Sequence, residues 1–367
     1  MKFVIQRETL LKPLQAIIGV VEKRHTMAVL ANILIDVKGQ ELRLTATDLE
    51  IEMISMVSLS QPAEDGVITV PARKILDICR SLPDSALVEI SSESANKVTV
   101  KSGRSRFSLA SLPAENFPSI DGNIGETHVK VSQKAFSGLL KHTYFAMAQQ
   151  DVRYFLNGML LEVSEHNLRA VATDGHRLAM ANETVHGSVG VTQVIIPRKA
   201  IVELMRLMEP TDELIELTMG TSHIRAVLPQ FTFTSKLLDG RYPDYNRVIP
   251  SPGANILLAS KDILKSALSR TAILSNEKYR GVRLQFEEKL LKLMANNPEQ
   301  EEAQDELEVN YTGKDLEIGF NVSYLLDVLN AIDGEAVKIS LANANSSALI
   351  HDRDNDKNVY VVMPIRL

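Results

Sequence analysis

Ile196-Pro197-Arg198-Lys199-Ala200-Ile201-Val202-Glu203-Leu204 has a close counterpart early in the chain, Val70-Pro71-Ala72-Arg73-Lys74-Ile75-Leu76-Asp77-Ile78, and a looser one late, Phe320-Asn321-Val322-Ser323-Tyr324-Leu325-Leu326-Asp327-Val328. Asp77, Glu203 and Asp327 hold matching places, and the apolar spacing predicts a helix at each. Working outward, each helix is preceded by two alternating runs joined by a polar turn, the pattern of a hairpin. These are Asn32–Val37 with Glu41–Asp48, Asn157–Val163 with Leu168–Asp174, and Gly281–Phe286 with Leu290–Asn297. Before each hairpin lies an amphipathic helix, predicted over about 9–22, 133–148 and 261–274, with Thr9, Ser132 and Ser260 as N-caps and Pro13 in a first turn. Strand-like runs follow each second helix, at 86–112, 213–237 and 336–365. The chain is therefore read as α+β, three tandem similar domains at 1–125, 126–253 and 254–367, each helix, strands, helix, strands. The period is too long for a stacked solenoid unit. Pro113–His128 and Asp239–Asn255 are the expected linkers.

A chain of 367 residues exceeds what one core usually holds. Hydrophobic residues make up 45% and Trp is absent, so Leu, Ile, Val, Met and Ala must build the cores. The single Cys79 excludes an internal disulfide and a cysteine-based metal cluster, and suits a reducing compartment. Residues 1–7 are too short an apolar run for a signal peptide, and no apolar stretch approaches the ~18 residues that span a membrane. A cytoplasmic protein without membrane partners is expected. Phosphate-loop, dinucleotide and His-Glu-x-x-His signatures are absent, so neither a cofactor nor a metal is expected. The net charge of −6 argues against nucleic acid when taken alone, but the placement of charge matters more than its sum.

Thr173-Asp174-Gly175-His176-Arg177-Leu178 concentrates an acid, a histidine and an arginine at a strand end. On a strand, Asp174 and His176 would share a face and could form an acid–base pair. Asp48 holds the place of Asp174 in the first repeat without a histidine, and Asn297 holds it in the third, so the alternative is a turn-forming residue that ends the strand.

The helices carry cations in an acidic chain: Lys12, Lys23, Arg24, Arg73, Lys74 and Arg80, then Lys134, Lys141, Arg198, Lys199 and Arg206, then Lys261, Lys265, Arg270 and Lys278. Solvated helix faces are one explanation. The other is a single basic surface that meets phosphates without reading bases. A basic run, Lys101–Leu109, and an acidic run, Pro298–Glu306, with Ile273-Leu274 in the same domain as the latter, are either two unrelated surface stretches or a head-to-tail contact between domain 1 of one chain and domain 3 of another, of the kind that closes a ring when the rotation permits.

Ser102–Leu109, Gln150–Tyr154, Ala172–Ala179, Asp239–Tyr245, Ile273–Lys278 and Ala295–Glu302 together make the whole chain resemble the bacterial DNA polymerase III beta subunits, the sliding clamps, of gammaproteobacterial type. The resemblance implies the DNA clamp fold. Two chains would close head-to-tail into a ring with helices inside and sheets outside, and would tether the replicative polymerase to duplex DNA as a non-enzymatic processivity factor. It also implies a peptide-binding pocket between domains 2 and 3, formed by Leu156, Thr173, Gly175, His176, Arg177, Leu178, Pro243, Arg247, Val248, Asn321, Tyr324, Ser347, Val361, Met363, Pro364, Ile365 and Arg366. Ile365 and Tyr279 depart from the Met and Phe familiar in the family.

DNA contact would fall to Arg24, Arg73, Gln150, Tyr154, Phe155, Lys199, Arg206 and Lys265, with Phe155 alternatively a core residue. The homodimer interface would comprise Lys74, Arg104, Arg106, Phe107, Leu109, Ile273, Leu274, Glu299, Glu301 and Glu302. Implied partners are the polymerase catalytic subunit, the clamp loader, translesion polymerases, ligase and mismatch-repair proteins, in a cytoplasmic, nucleoid-associated setting. On the residues alone, an enzyme using Asp174 and His176 and a peptide-binding scaffold with no DNA role stay open as rivals.

Overall fold

A computed structural model describes residues 1–21, 27–94, 96–120, 122, 124–125, 127–185 and 191–366. The first repeat runs β1 (Lys2–Gln6), α1 (Arg7–Ile17), β2 (Asn32–Lys38), β3 (Glu41–Thr47), β4 (Ile51–Ser58), β5 (Gly66–Pro71), α2 (Ala72–Ser81), β6 (Leu87–Ser94), β7 (Lys97–Ser102) and β8 (Ser105–Ala110). The second runs β9 (Thr127–Ser132), α3 (Gln133–Lys141), β10 (Gly158–Ser164), β11 (Asn167–Thr173), β12 (Arg177–Thr184), β13 (Thr192–Pro197), α4 (Arg198–Leu207), β14 (Leu214–Met219), β15 (His223–Val227) and β16 (Phe231–Lys236). The third runs β17 (Asn255–Ser260), α5 (Lys261–Thr271), β18 (Gly281–Glu287), β19 (Leu290–Asn296), β20 (Glu302–Glu308), a short β21 (Asn310–Thr312), β22 (Leu316–Asn321), α6 (Val322–Ala331), β23 (Ala336–Leu341), β24 (Ala348–Asp352) and β25 (Asn355–Val362).

Each repeat thus has more strands than its hairpin suggests. An opening strand precedes the first helix, and further strands separate the hairpin from the second helix. The first five residues of β4, Ile51–Ser55, are all buried although Glu52 and Ser55 are polar, so its sequence lacks the two-residue alternation that identifies a strand. Each opening strand pairs antiparallel with the first strand after the second helix: β1 with β6, β9 with β14, β17 with β23.

The helix ends also differ from expectation. α1 begins at Arg7, so Thr9 lies inside it and Pro13 sits in its interior, where it removes the donor that the Thr9 carbonyl would take. Ser260 stands at the N-cap of α5 but its side chain makes no cap bond. The helix predicted to run to 148 stops at Lys141, with a separate 3₁₀ turn at Tyr144–Ala146.

The first residue of each opening helix does a different job, holding the far end of its repeat's second helix. Arg7 donates to the carbonyls of Cys79 (2.9 Å) and Arg80 (3.3 Å) at the end of α2 and to Asp84 (2.7 Å). Lys261 donates to the carbonyls of Ile332 and Asp333 just past α6 (3.0 and 3.5 Å). Gln133 accepts from the Glu209 N–H (3.1 Å) and donates to Thr211 (3.3 Å) just past α4. Cations at a helix C-terminus satisfy orphan carbonyls and oppose the negative end of the dipole.

The chain divides into two compact units that cut across the repeats: Met1–Lys134 with Val202–Leu237, and Ala135–Ile201 with Leu238–Leu367. The first unit holds a four-stranded sheet, β1-β6-β7-β8, and an eight-stranded sheet, β5-β2-β3-β4-β16-β15-β14-β9. α1 packs on α2, both burying apolar faces (Leu10, Leu14 and Ile17; Ile75, Leu76 and Cys79), and burial pushes the Cys79 thiol up to about 11. The second unit holds a nine-stranded sheet, β13-β10-β11-β12-β25-β24-β23-β17-β21, and a four-stranded one, β20-β19-β18-β22. Two pairings join different repeats, β4 with β16 and β12 with β25.

Arg7 is the buried member of its ion pair, with a side chain 14% exposed. Arg7→Ala is expected to cost about 1–3 kcal/mol, read as a lower urea midpoint, with Arg7→Lys recovering part of the loss. Equal midpoints for Arg7→Ala and the parent chain would rule out the capping role.

Candidate functional site: an apolar cleft on the joined sheet

β11 ends at Thr173, and Asp174 turns the chain. Its Oδ1 accepts from the main-chain N–H of His176 (2.9 Å) and Arg177 (3.0 Å), while Gly175, at φ +87°, donates to Thr173 Oγ1 (3.1 Å). The same turn follows β3: Asp48 Oδ1 accepts from Glu50 and Ile51 (2.9 and 2.7 Å), and Leu49 takes φ +77°. Asn297 makes a wider version by accepting from the Glu301 N–H (3.0 Å). Asp174 is therefore a turn former. The His176 ring stacks on Tyr324, with centroids 6.2 Å apart. The acid–base pair is overturned because both residues lie in the turn, where strand alternation no longer applies.

Arg177 opens β12 and is a strut. Its guanidinium bonds Asp174 Oδ2 (3.1 Å), Asp327 Oδ2 on α6 and the Phe145 carbonyl (2.8 Å), and lies 4.5 Å from the Tyr324 ring centroid. With two carboxylates against it and a side chain only 11% exposed, its charge is internally matched. Beside it, β12 pairs with β25 so that Leu178 lies opposite Val361.

These two residues join a cleft of about 290 Å³ lined by Arg153, Phe155, Leu156, Thr173, Gly175, Arg177, Leu178, Pro243, Val248, Val361 and Met363. The wall is largely apolar, and its floor merges with the buried cluster of Leu156, Leu160, Val171, Tyr242, Tyr245 and Leu349. A Cβ on Gly175 would lie 3.1 Å from the tip of the flexible Arg153 side chain, which can yield, so it is the φ of +87° that favours glycine here. Arg153 holds the Asp151 carboxyl well below its usual range, to about 2, by hydrogen bonding.

Nine of the expected pocket residues meet in this cleft. Arg153 was not among the expected residues, and Phe155 was expected at DNA. Phe155 packs on the apolar cluster. The remaining expected residues lie outside the cleft lining. The C-terminal segment runs past His176 and β22, with the N–H of Met363 and of Ile365 donating to the carbonyls of His176 and Gly319 (2.9 Å each). Pro364 and Arg366 belong to that segment. Asn321 caps α6 by accepting from the Ser323 N–H (2.9 Å). Arg247 is 86% exposed and pairs with Asp244 (3.0 Å), and Ser347 lies in the turn before β24.

The expected DNA residues are less uniform than their charges suggest. Arg24 lies outside the described residues. Arg206 ion-pairs with Glu203 (2.8 Å) and donates to the carbonyls of Gln15 (3.0 Å) and Ala16, closing the end of α1. Arg73 donates to the Val21 carbonyl (3.2 Å). Lys199 and Lys265 are half-buried, while Gln150 and Tyr154 are exposed.

Of the expected interface residues, Arg106, Phe107 and Leu109 lie on β8 and Glu302 on β20, each an outermost strand of its sheet. Leu109 is already buried within its own sheet, whereas Ile273 is 75% exposed. Arg104, Lys74, Glu299 and Glu301 are exposed and Leu274 is half-buried.

The chain matches the DNA polymerase III beta subunit N-terminal domain over residues 1–121, the central domain over 130–244 and the C-terminal domain over 246–366. It is 55% identical to the beta sliding clamp of Pseudomonas aeruginosa and 50% identical to that of Escherichia coli, covering all of both chains. A crystal structure of the Pseudomonas aeruginosa subunit superposes with a TM-score of 0.97 over the full length, and one of the same protein bound to griselimycin does equally well. The chain belongs to the DNA polymerase III beta subunit family, the beta sliding clamps, which are processivity factors that tether polymerase and are not enzymes.

Proposed function

We propose that the cleft lined by Leu178, Val361, Pro243 and Val248 receives short linear peptides from the proteins this clamp serves, the polymerase catalytic subunit and the clamp loader first among them. The observation that carries this is the cleft's make-up: an apolar floor, Met363 in the lining and a few polar residues, Arg153, Thr173 and Arg177, which suit an apolar side chain in an extended peptide. A contact this small should bind at about micromolar strength. Partners can then exchange, so translesion polymerases, ligase and mismatch-repair proteins fit the same cleft in turn.

The chain reads as three clamp domains at 1–125, 126–253 and 254–367. We infer that two copies close head-to-tail, the outer strand β8 of one meeting the outer strand β20 of the other. Both strands have an unpaired edge within one chain. β8 carries the exposed Arg106 and follows the exposed Arg104, and β20 carries Glu302, Glu306 and Glu308. Edge strands of opposite charge next to an exposed Ile273 fit strand addition between copies. Lys199 and Lys265 are the expected phosphate contacts. Arg206 and Arg73, tied to main-chain carbonyls, contribute position more than free charge. No helix among the described residues is long and apolar enough to cross a membrane, and a cytoplasmic, nucleoid-associated setting fits the reading.

Two outcomes are expected. Val248→Asp places an unpaired charge in the cleft wall and should weaken binding of a fluorescent peptide bearing an apolar C-terminal pair by more than about tenfold, with native mass unchanged. Unaltered affinity would move the docking site elsewhere. Native mass spectrometry at micromolar concentration should give twice the 40.6 kDa chain mass for the parent protein. Ile273→Asp should give the single chain. A parent protein that is monomeric there contradicts the ring.

A further inference from the structure

Pro243 and Val248, one wall of the cleft, belong to a segment whose only regular element is a 3₁₀ turn at Tyr245–Arg247. An irregular wall holds its place only where something anchors it. Tyr242 and Tyr245 flank Pro243, and both are buried. The Tyr242 hydroxyl oxygen accepts from the Thr173 N–H at the end of β11 (3.1 Å). The Tyr245 hydroxyl accepts from Arg169 (2.8 Å) and donates to Glu162 (2.7 Å), and Arg169 also donates to Asn182 (2.7 Å). Glu162, Arg169 and Asn182 are cross-strand neighbours on β10, β11 and β12. The loop is thus tied through two hydroxyls to the strands that carry the opposite wall, Thr173 and Leu178.

The first repeat supplies an internal comparison. Phe117-Pro118-Ser119-Ile120 stands where the second has Tyr242-Pro243-Asp244-Tyr245. Both hydroxyls are missing there, although Thr47, Leu49 and Pro118 line a cleft in the corresponding place. That counterpart mixes the apolar Ile120 and Ile124 with Ser119, Ser222, His223 and Lys236. The hydroxyl anchors belong to the repeat that carries the apolar cleft.

We propose that Tyr242 and Tyr245 are positioning residues for peptide docking: their hydroxyls set the separation of the Pro243–Val248 wall from the Thr173–Leu178 wall, and with it which apolar side chain the cleft prefers. This rests on the cleft's being the peptide site. The test uses the full-length protein with Tyr242→Phe, Tyr245→Phe and, as a control, Tyr311→Phe. Tyr311 is buried in the same unit and donates to the Lys314 carbonyl, but does not line the cleft.

Affinity is measured by anisotropy for two labelled peptides differing only in a Leu or Phe anchor, at a temperature well below unfolding, with melting curves in parallel. Tyr242→Phe and Tyr245→Phe should each weaken binding about five- to thirtyfold and shift the Leu-to-Phe preference, while Tyr311→Phe should do neither. Affinities and preference indistinguishable from the parent, whatever happens to melting, would overturn the proposal. So would an equal loss in Tyr311→Phe. A parent protein that binds neither peptide would instead sink the docking site itself.

Discussion

The antiparallel pairing of β12 with β25 is the constraint on which the cleft depends. It sets Leu178 opposite Val361 and Arg177 opposite Val362, bringing together residues from the second and third repeats. The Met363 N–H continues the ladder onto the His176 carbonyl, so the same main-chain bonds that complete the sheet also bring the C-terminal segment past the turn. Register on a strand is all or nothing, because a slip by one residue turns every side chain to the other face. A slipped β25 would turn Val361 out of the cleft and break the floor shared with Leu156 and Tyr242.

The first repeat shows what the same scaffold does with different residues. β4 pairs with β16 as β12 pairs with β25, and Asp48 forms the same turn as Asp174. In the place of Leu178 stands Glu52, buried, accepting from the Ile120 N–H (3.1 Å), with burial raising its carboxyl above the ordinary range. A buried carboxyl makes a poor apolar floor. Arg177 likewise has Ile51 in its place, which cannot form the strut that binds Asp174 to Asp327. Between the first and second repeats, among the described residues, the difference between a mixed cleft and a largely apolar one thus comes down to a few side chains at equivalent places.

Much of this was legible in the sequence. The second helices announced themselves through Ile196–Leu204 and its counterparts, and most cleft residues followed from the resemblance. What the sequence hid has physical reasons. β4 sets Glu52 and Ser55 in a buried stretch and so lacks a two-residue period, and the opening strands are only five or six residues long. The cations look alike in composition, yet Arg7, Lys261 and Arg206 are bound to main-chain carbonyls at helix ends, and only geometry identifies such caps. Phe155 could not be divided between DNA and core until its neighbours were known. The tyrosine anchors left a trace in Tyr242-Pro243-Asp244-Tyr245 set against Phe117-Pro118-Ser119-Ile120, and the hydroxyls in that pair of stretches were the available signal.

A tether that must not stall needs loose contact with phosphates and a closed path around the duplex, so retention should come from topology and not from affinity. The protein should therefore be loaded by its clamp loader onto nicked circular DNA, washed at moderate salt, and then challenged by a single cut in the circle. The account predicts that it stays on the circle and leaves within the time needed to slide to an end after linearisation. Protein that stays equally on the linear DNA with free ends would contradict it.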